Sequence, residues 1–208
     1  MSKARLEAFS DGVIAILITI MVLELRVPHG GDWAALKPLA PVFLTYVMSF
    51  IFLGIYWSNH HHMLQVTSRI NGAILWANLH LMFWLSIIPF VTGWMGENHF
   101  AELPTAIYGC ALLFSAIAYT ILQQTIIHDQ GPNSRLKAAV GRDVKGKLSG
   151  LLYLIAIPLA FVRREIAQAI YVLVALIWLV PDRRIEQHVM AASASLAGAA
   201  GTLEDDVH

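Results

Sequence analysis

A helix-length apolar stretch near the N-terminus limits what this chain can fold into more than any other feature. The segment from Gly12 to Leu23 contains no charged side chain, and Asp11 immediately precedes it. At ~1.5 Å per residue, residues 9 to 27 would span ~28 Å as a helix, about the hydrocarbon thickness of a bilayer. An ionisable residue inside such a segment is costly and usually functional. We therefore predict a membrane-spanning helix with a functional carboxylate at its entry.

The composition supports an integral membrane protein. Of the 208 residues, 57% are hydrophobic and 13% charged, whereas soluble domains carry about 25% charged residues. The formal net charge is zero and Cys110 is the only cysteine, so we expect neither a nucleic-acid partner nor a disulfide framework. We predict an all-α protein with six transmembrane helices in one domain over residues 1–186 and a mobile cytoplasmic tail over residues 187–208. The predicted spans are residues 9–27, 39–59, 73–95, 104–127, 148–162 and 166–181, the last two forming a short hairpin.

The distribution of basic residues predicts the orientation. With the N-terminus in the cytoplasm, ten of the fourteen Lys and Arg side chains lie on the inner side, as the positive-inside rule favours. The adjacent pair Arg163 and Arg164 is an exception to this rule. We expect a multi-pass protein of the cell inner membrane or plasma membrane with both termini cytoplasmic.

One face of the first helix has a distinct composition. At ~100° per residue, four side chains fall on one stripe and Asp11 points away from it. The stripe either packs against other helices or forms a functional surface, and periodicity alone leaves both interpretations open. Its members are Gly12, Ile16, Thr19 and Leu23.

The histidines are the most obvious candidates for a metal site. Three of the nine are consecutive, at residues 60 to 62, and His80 follows in the next span. Consecutive residues on a helix point ~100° apart and cannot all face one ion, and no His-Glu-x-x-His motif is present. We therefore expect no bound metal and no cofactor. We expect His60 or His61 to make a buried polar contact with the first helix instead.

A second set of polar residues lies near the ends of the first three predicted spans. In an antiparallel arrangement its members would meet near the cytoplasmic side, where each polar group needs a partner within the protein. A structural clamp and a gating role are both consistent with this pattern. The group comprises Arg5, Ser10, Asp11, Trp57, His60 or His61, and Asn78. No catalytic triad, phosphate-binding loop or paired carboxylate is present, so we do not expect an enzyme.

Several motifs resemble those of one known family. The run Arg5-x-x-x-Phe9-Ser10-Asp11 is similar to the first-helix motif of the lysosomal potassium channel family and its prokaryotic relatives. The resemblance continues through Tyr56-Trp57, Asn59-His60-His61, Asn78-Leu79, Pro89-Phe90 and the segment from Trp94 to His99, over roughly residues 5 to 186. It implies a homotetramer in which four first helices line a central pore. It also implies that the stripe residues Ile16, Thr19 and Leu23 form the pore constriction, and that potassium is the permeant ion.

The mechanism implied is a passive, potassium-permeable cation channel. The chain has no Thr-Val-Gly-Tyr-Gly carbonyl filter, so selection would come from partial dehydration of the ion at a hydrophobic constriction. The expected partners are other copies of this chain, the lipid bilayer and monovalent cations. Glu24 would either concentrate cations at the outer mouth or pair with Arg26 or Lys37. The alternatives are a histidine-dependent membrane metalloenzyme and a small cation or proton transporter.

Overall fold

The computed structural model describes residues 2–132, 134–141 and 143–179, and every regular element within them is helical. Four long helices come first and a shorter hairpin follows, with two brief helices in the connections. A short 3₁₀ turn, Lys37–Leu39, leads directly into α3. The helices are α1 Lys3–Leu23, α2 Trp33–Leu36, α3 Ala40–Gln65, α4 Gly72–Glu97, α5 Glu102–Gln130, α6 Arg135–Val140, α7 Val144–Leu159 and α8 Arg164–Leu179.

Polar contacts at the two ends of the bundle show that successive long helices are antiparallel. At the end that carries the start of α1, Lys3 Nζ donates to the Gln65 carbonyl at 2.8 Å. At the same end, Arg69, between α3 and α4, pairs with Asp129 of α5 at 2.9 Å. At the opposite end, Arg26 pairs with Glu97 at 3.0 Å. We call these the motif end and the far end of the bundle.

Four helical segments in the described part are long and apolar enough to cross a membrane: residues 3–23, 33–65, 72–97 and 102–130. They contain the second, third and fourth predicted spans and overlap the first, which was predicted to run from 9 to 27. The fifth and sixth spans correspond to α7 and α8, which have 16 residues each. At ~1.5 Å per residue each is ~24 Å long, shorter than the ~30 Å hydrocarbon core.

The helix boundaries differ from the sequence expectation in several places. Helix α1 begins at Lys3 because the Ser2 hydroxyl caps it. It ends at Leu23 and does not continue to Val27, and the residue before Pro28 is disfavoured from helical backbone. Helix α3 continues to residue 65, so the three consecutive histidines are helical. The short helices α2 and α6 were not predicted. The end of the sixth span and the predicted tail at 187–208 lie outside the described residues.

Two buried clusters hold the helices together. In the first, Leu6, Ile14 and Leu17 of α1 pack with residues of α3, α4 and α5. In the second, aromatic side chains join α3, α5 and the α7–α8 hairpin, including Tyr108 and Tyr171. Helix α8 approaches α5 so closely that a Cβ atom at Gly109 would collide with the Tyr171 ring. The first cluster therefore fixes one face of α1, and the second anchors the hairpin behind it.

Candidate functional site

Helix α1 has one buried face and one exposed face. Ile14 is 1% exposed and Leu17 and Met21 are also buried, whereas Ile16 is 58% and Leu23 80% exposed. Gly12 and Thr19 share this exposed side, and a Cβ atom at Gly12 would meet nothing within 4 Å. The stripe identified in the sequence is therefore the face of α1 that its own protomer leaves uncovered.

The Thr19 hydroxyl has a defined orientation on this face. Its Oγ1 donates to the Ile16 carbonyl at 2.9 Å, one turn earlier in the same helix. Because the proton is used within the helix, the oxygen lone pairs are available to accept or to approach a cation. The exposed stripe thus combines apolar side chains with an oxygen acceptor.

A chain of buried hydrogen bonds joins α1 to α4 and α3. The Asn78 amide Nδ2 donates to Ser10 Oγ at 3.0 Å, and Ser10 Oγ donates to the Leu6 carbonyl at 2.9 Å. Asn78 Oδ1 lies 2.7 Å from His60 Nε2. Since this oxygen can only accept, the His60 proton on this bond is carried by Nε2. Ser10, His60 and Asn78 are all at most 1% exposed, so His60 reaches α1 through Asn78 and not directly.

A second connection between α3 and α1 lies closer to the surface. Trp57 Nε1 donates to Asp11 Oδ1 at 3.0 Å. The indole also stacks on the His61 ring, with ring centroids 6.2 Å apart. His61 Nε2 in turn lies 2.8 Å from Gln65 Nε2. Two successive residues of α1 are therefore held by other helices. Ser10 is held by Asn78 of α4, which also contacts His60 of α3, and Asp11 is held by Trp57 of α3.

Other predicted site residues are not part of these connections. The Arg5 side chain is exposed, and within the described residues it makes no hydrogen bond to the polar group. Phe9 is 46% exposed. His80 accepts from its neighbour Trp84 at 3.0 Å and is separate from residues 60 to 62. In the described part of the chain no three metal-ligating side chains come together.

At the far end, the structure differs from one alternative for Glu24, that it pairs with Arg26. Arg26 pairs with Glu97, so it is not the partner of Glu24. Among the described residues no ion pair involves Glu24, which is exposed just after the last turn of α1. Its carboxylate is therefore available to attract cations at the far end of the exposed stripe.

Sequence reasoning missed the contacts that fasten the motif end. Lys3 binds the last carbonyl of α3, and Asp129 accepts from both Arg69 and Asn71. The Asp129 carboxylate raises the pKa of the Arg69 guanidinium above its ordinary value. The sequence shows charged and polar residues at the ends of the long helices. Which of them pair with one another depends on which helices are neighbours, and this cannot be read from the sequence.

Comparison with known proteins places this arrangement in a family. Residues 5–89 match the model of the endosomal/lysosomal potassium channel TMEM175. The chain is 57% identical over 187 residues to a potassium channel of Chryseobacterium sp. (strain P1-3), covering 90% of this chain and 97% of that protein. It belongs to the TMEM175 family. Its relatives are named as channels, so the protein is a membrane channel and not an enzyme.

Further relatives include a second bacterial potassium channel, a solved structure and a much longer human protein. A potassium channel of Streptomyces collinus is 31% identical over 185 residues, covering 84% of this chain and 90% of its own. The crystal structure of a lysosomal potassium-selective TMEM175 homolog from Chamaesiphon minutus superposes with a TM-score of 0.76 at 27% identity, covering 86% of this chain and 97% of the homolog. The human endosomal/lysosomal proton channel TMEM175 is 29% identical over 140 residues, covering 60% of this chain and 28% of that protein.

Proposed function

We propose that this TMEM175-family protein is a passive, potassium-permeable cation channel whose pore is lined by α1. The observation that carries the proposal is the exposed stripe of Ile16, Thr19 and Leu23 on a helix whose other face is buried. Two relatives that match nearly their whole length are named potassium channels. Lipid could cover an apolar helix face, but this one also carries the exposed Thr19 hydroxyl, which favours a protein-lined pore over contact with lipid.

The partner that we propose is the same stripe from other copies. A single stripe cannot enclose a pore, whereas four α1 helices around an axis would bring four Ile16 and four Leu23 side chains together. In this arrangement six helices per subunit, α1, α3, α4, α5, α7 and α8, form the transmembrane unit of residues 1–186. We place both termini on the cytoplasmic side of the cell inner membrane or plasma membrane, and propose that residues 187–208, which lie outside the described part of the chain, are a cytoplasmic tail.

Ion selection in this pore would result from the cost of dehydration. Apolar rings at Ile16 and Leu23 return little to an ion that has lost part of its water. Potassium is less strongly hydrated than sodium, so it crosses such a ring at lower cost. The Thr19 oxygen, with its proton bound to the Ile16 carbonyl, offers the ion a ligand between the two rings. We therefore propose a modest preference for potassium.

The polar contacts of α1 support a positioning role for the first-helix motif. Ser10 and Asp11 are held by Asn78 and Trp57, on the sides of α1 away from the stripe. A change in these contacts would rotate or shift α1 and with it the constriction. We propose that this group, together with His60, sets the orientation of the pore helix.

The proton is a second candidate for the permeant ion. The human, mouse and chicken relatives are named proton channels, although this chain spans less than a third of their length. The same pore could carry protons along water that enters between the apolar rings. Currents recorded under a pH gradient, with potassium equal on both sides, separate this activity from potassium permeation.

Planar-bilayer recording of the purified full chain tests the proposal. With potassium on one side and sodium on the other, we expect single-channel currents and a reversal potential displaced toward the potassium equilibrium potential. Saturable, pH-coupled uptake without single-channel currents would favour a transporter instead. Stoichiometric metal in the active protein, with activity lost on chelation, would favour the metalloenzyme alternative.

A further inference from the structure

The connection between α5 and α7 concentrates positive charge near the motif end of the bundle. Residues 131–147 contain five of the fourteen Lys and Arg residues but only one acidic residue, Asp143. The Asp143 carboxylate accepts from the Gly146 backbone amide at 3.2 Å and so caps the start of α7. The segment therefore presents a positive surface that the protomer does not neutralise. Among the described residues, three of its exposed basic side chains form no ion pair: Arg135, Lys137 and Lys147.

The short helix α6 holds two of these cations in place. Leu136 and Ala139 on one side of α6 are buried, whereas Arg135 and Lys137 are exposed, and the helix packs on α5. The Ser134 hydroxyl accepts from the Lys137 backbone amide at 3.2 Å and caps the helix. Because the backbone that carries the two cations is already ordered, a ligand that binds them pays less conformational entropy than it would at a mobile loop.

An exposed apolar surface begins beside the third cation. On α7, Val144 is 65% exposed, and three further exposed residues, Leu148, Leu151 and Ile155, follow it on the same face at spacings of four, three and four. We call these four residues the α7 stripe. Lys147 lies about 60° from Val144 around the helix axis. A basic side chain therefore stands at the edge of an apolar surface.

The length of α7 places this edge near the membrane boundary. The last turns of α7 pack near the start of α5, toward the far end of the bundle. Helix α7 is ~24 Å long, less than the ~30 Å hydrocarbon core, so its first turn lies at the edge of the hydrocarbon or just inside it. A lysine at this depth lays its methylene groups on apolar surface and extends its ammonium to the headgroups.

The two surfaces match the two parts of one phospholipid. The phosphate of a headgroup would neutralise the cations, and an acyl chain would cover the α7 stripe. A zwitterionic headgroup brings its own cation, which the three basic side chains would repel, so the charge favours an anionic lipid. An acidic soluble protein could pair with the cations but would leave the α7 stripe uncovered.

We propose that Arg135, Lys137 and Lys147 bind the headgroup phosphate of an anionic phospholipid whose acyl chain lies along the α7 stripe. The site contains no residue of the proposed pore, and it requires only that the protein lies in a membrane. The proposal is therefore independent of which ion the channel carries. The bound lipid fixes the start of the α7–α8 hairpin at the membrane surface.

Mass spectrometry of the intact full chain in detergent micelles tests the site, because it counts bound lipids and gives their relative dissociation constants. Dioleoylphosphatidylglycerol should bind about tenfold more tightly than dioleoylphosphatidylcholine, and the preference should decrease as ionic strength rises. Lys147→Gln should weaken binding of the glycerol lipid about fivefold without affecting the choline lipid. Lys147→Arg should retain the preference. Replacing all three basic residues by glutamine should abolish it.

Matched variants separate this site from general effects of charge. Lys37 is exposed at the far end, so Lys37→Gln removes the same charge and should bind the glycerol lipid like the unmodified protein. Leu148→Asn makes the α7 stripe more polar and should weaken binding of both lipids. Equal affinity for the two lipids, or equal losses in Lys37→Gln and Lys147→Gln, would overturn the proposal. Displacement of the lipid by inorganic phosphate, with Leu148→Asn having no effect, would show a site for free anions and also overturn it.

Discussion

Trp57 Nε1 donates a hydrogen bond to Asp11 Oδ1 across the contact between α3 and α1, with 3.0 Å between the two atoms. Trp57 is 47% exposed and Asp11 is partly exposed, so the carboxylate is only partly buried in the protomer. The contact still directs Asp11 away from the exposed stripe. The main role of this hydrogen bond is therefore to fix the rotation of α1, and its role in stabilising a buried charge is smaller.

Removing either partner of this bond should disturb the channel to a similar extent. We expect Asp11→Ala and Trp57→Phe each to reduce channel activity, and the double variant to add little to the larger single effect. The coupling energy should be about 0.5–1.5 kcal/mol in a double-mutant cycle. Trp76→Phe is the control, because Trp76 is 73% exposed and makes no hydrogen bond within the described residues. Fully additive losses would show that the two residues act separately.

The buried chain of hydrogen bonds that positions α1 should also contribute to stability. His60→Leu would leave the Asn78 Oδ1 acceptor buried without its donor, so we expect the protein to lose about 1–3 kcal/mol and to unfold at a lower temperature. His60→Gln should recover part of this loss, because its amide can donate. The exposed His80 is the control: His80→Leu should change stability by no more than about 0.5 kcal/mol. An unaltered melting temperature for His60→Leu would contradict the assignment.

The orientation in the membrane can be measured with one introduced cysteine after the native Cys110 is replaced by alanine. Ala138 is exposed in α6, within the connection between α5 and α7 that carries five of the fourteen Lys and Arg residues. Ala138→Cys should resist an impermeant thiol reagent in intact cells and react after permeabilisation. Gly31→Cys, in the exposed connection after α1, is the reciprocal control and should react in intact cells. The reverse pattern would place the termini outside.

The sequence could predict the long helices, because their apolar runs match the length of a bilayer. It also grouped Gly12, Ile16, Thr19 and Leu23 on one face of α1 by their helical spacing, but periodicity alone left open whether that face packs against other helices. It could not predict the partners within the polar group. That His60 meets Asn78 while Arg5 meets none of the group depends on the relative rotation of three helices, and on the extension of α1 back to Lys3.

Arg5 itself leads to a prediction about the pore entrance. It lies seven residues before Gly12, so it points in nearly the same direction as the stripe. In the proposed tetramer four guanidinium groups would surround the entrance and repel cations. We expect Arg5→Gln to raise potassium conductance roughly twofold at low ionic strength, with the difference fading at high salt as charge is screened.

Lys3 provides the control for this experiment, because it carries the same charge on the same helix. It points to the opposite side of α1 and binds the Gln65 carbonyl. Lys3→Gln removes the same charge from the same helix turn, yet it should leave the low-salt conductance unchanged. Equal increases in both variants would indicate a general surface-charge effect and not a ring of Arg5 side chains at the entrance.

The constriction itself is tested by placing a polar side chain on the stripe. Ile16→Asn gives the ion a ligand where the wall is now apolar, so the dehydration cost falls for both ions and conductance rises. We expect the potassium-to-sodium permeability ratio to fall roughly threefold, equivalent to about 0.7 kcal/mol, with a smaller fall for Leu23→Asn. Reversal potentials under bi-ionic conditions measure this ratio directly.

The choice of control follows from the two faces of α1. Ile14 points away from the stripe but is 1% exposed, so Ile14→Asn would bury an unpaired amide and destabilise the protein. Val22 is 44% exposed and points ~100° away from Leu23, which makes Val22→Asn the better comparison. It should leave the permeability ratio unchanged. If Val22→Asn alters the ratio and Ile16→Asn does not, the pore is lined by a different face of α1, and the hydrophobic constriction at Ile16 and Leu23 is wrong.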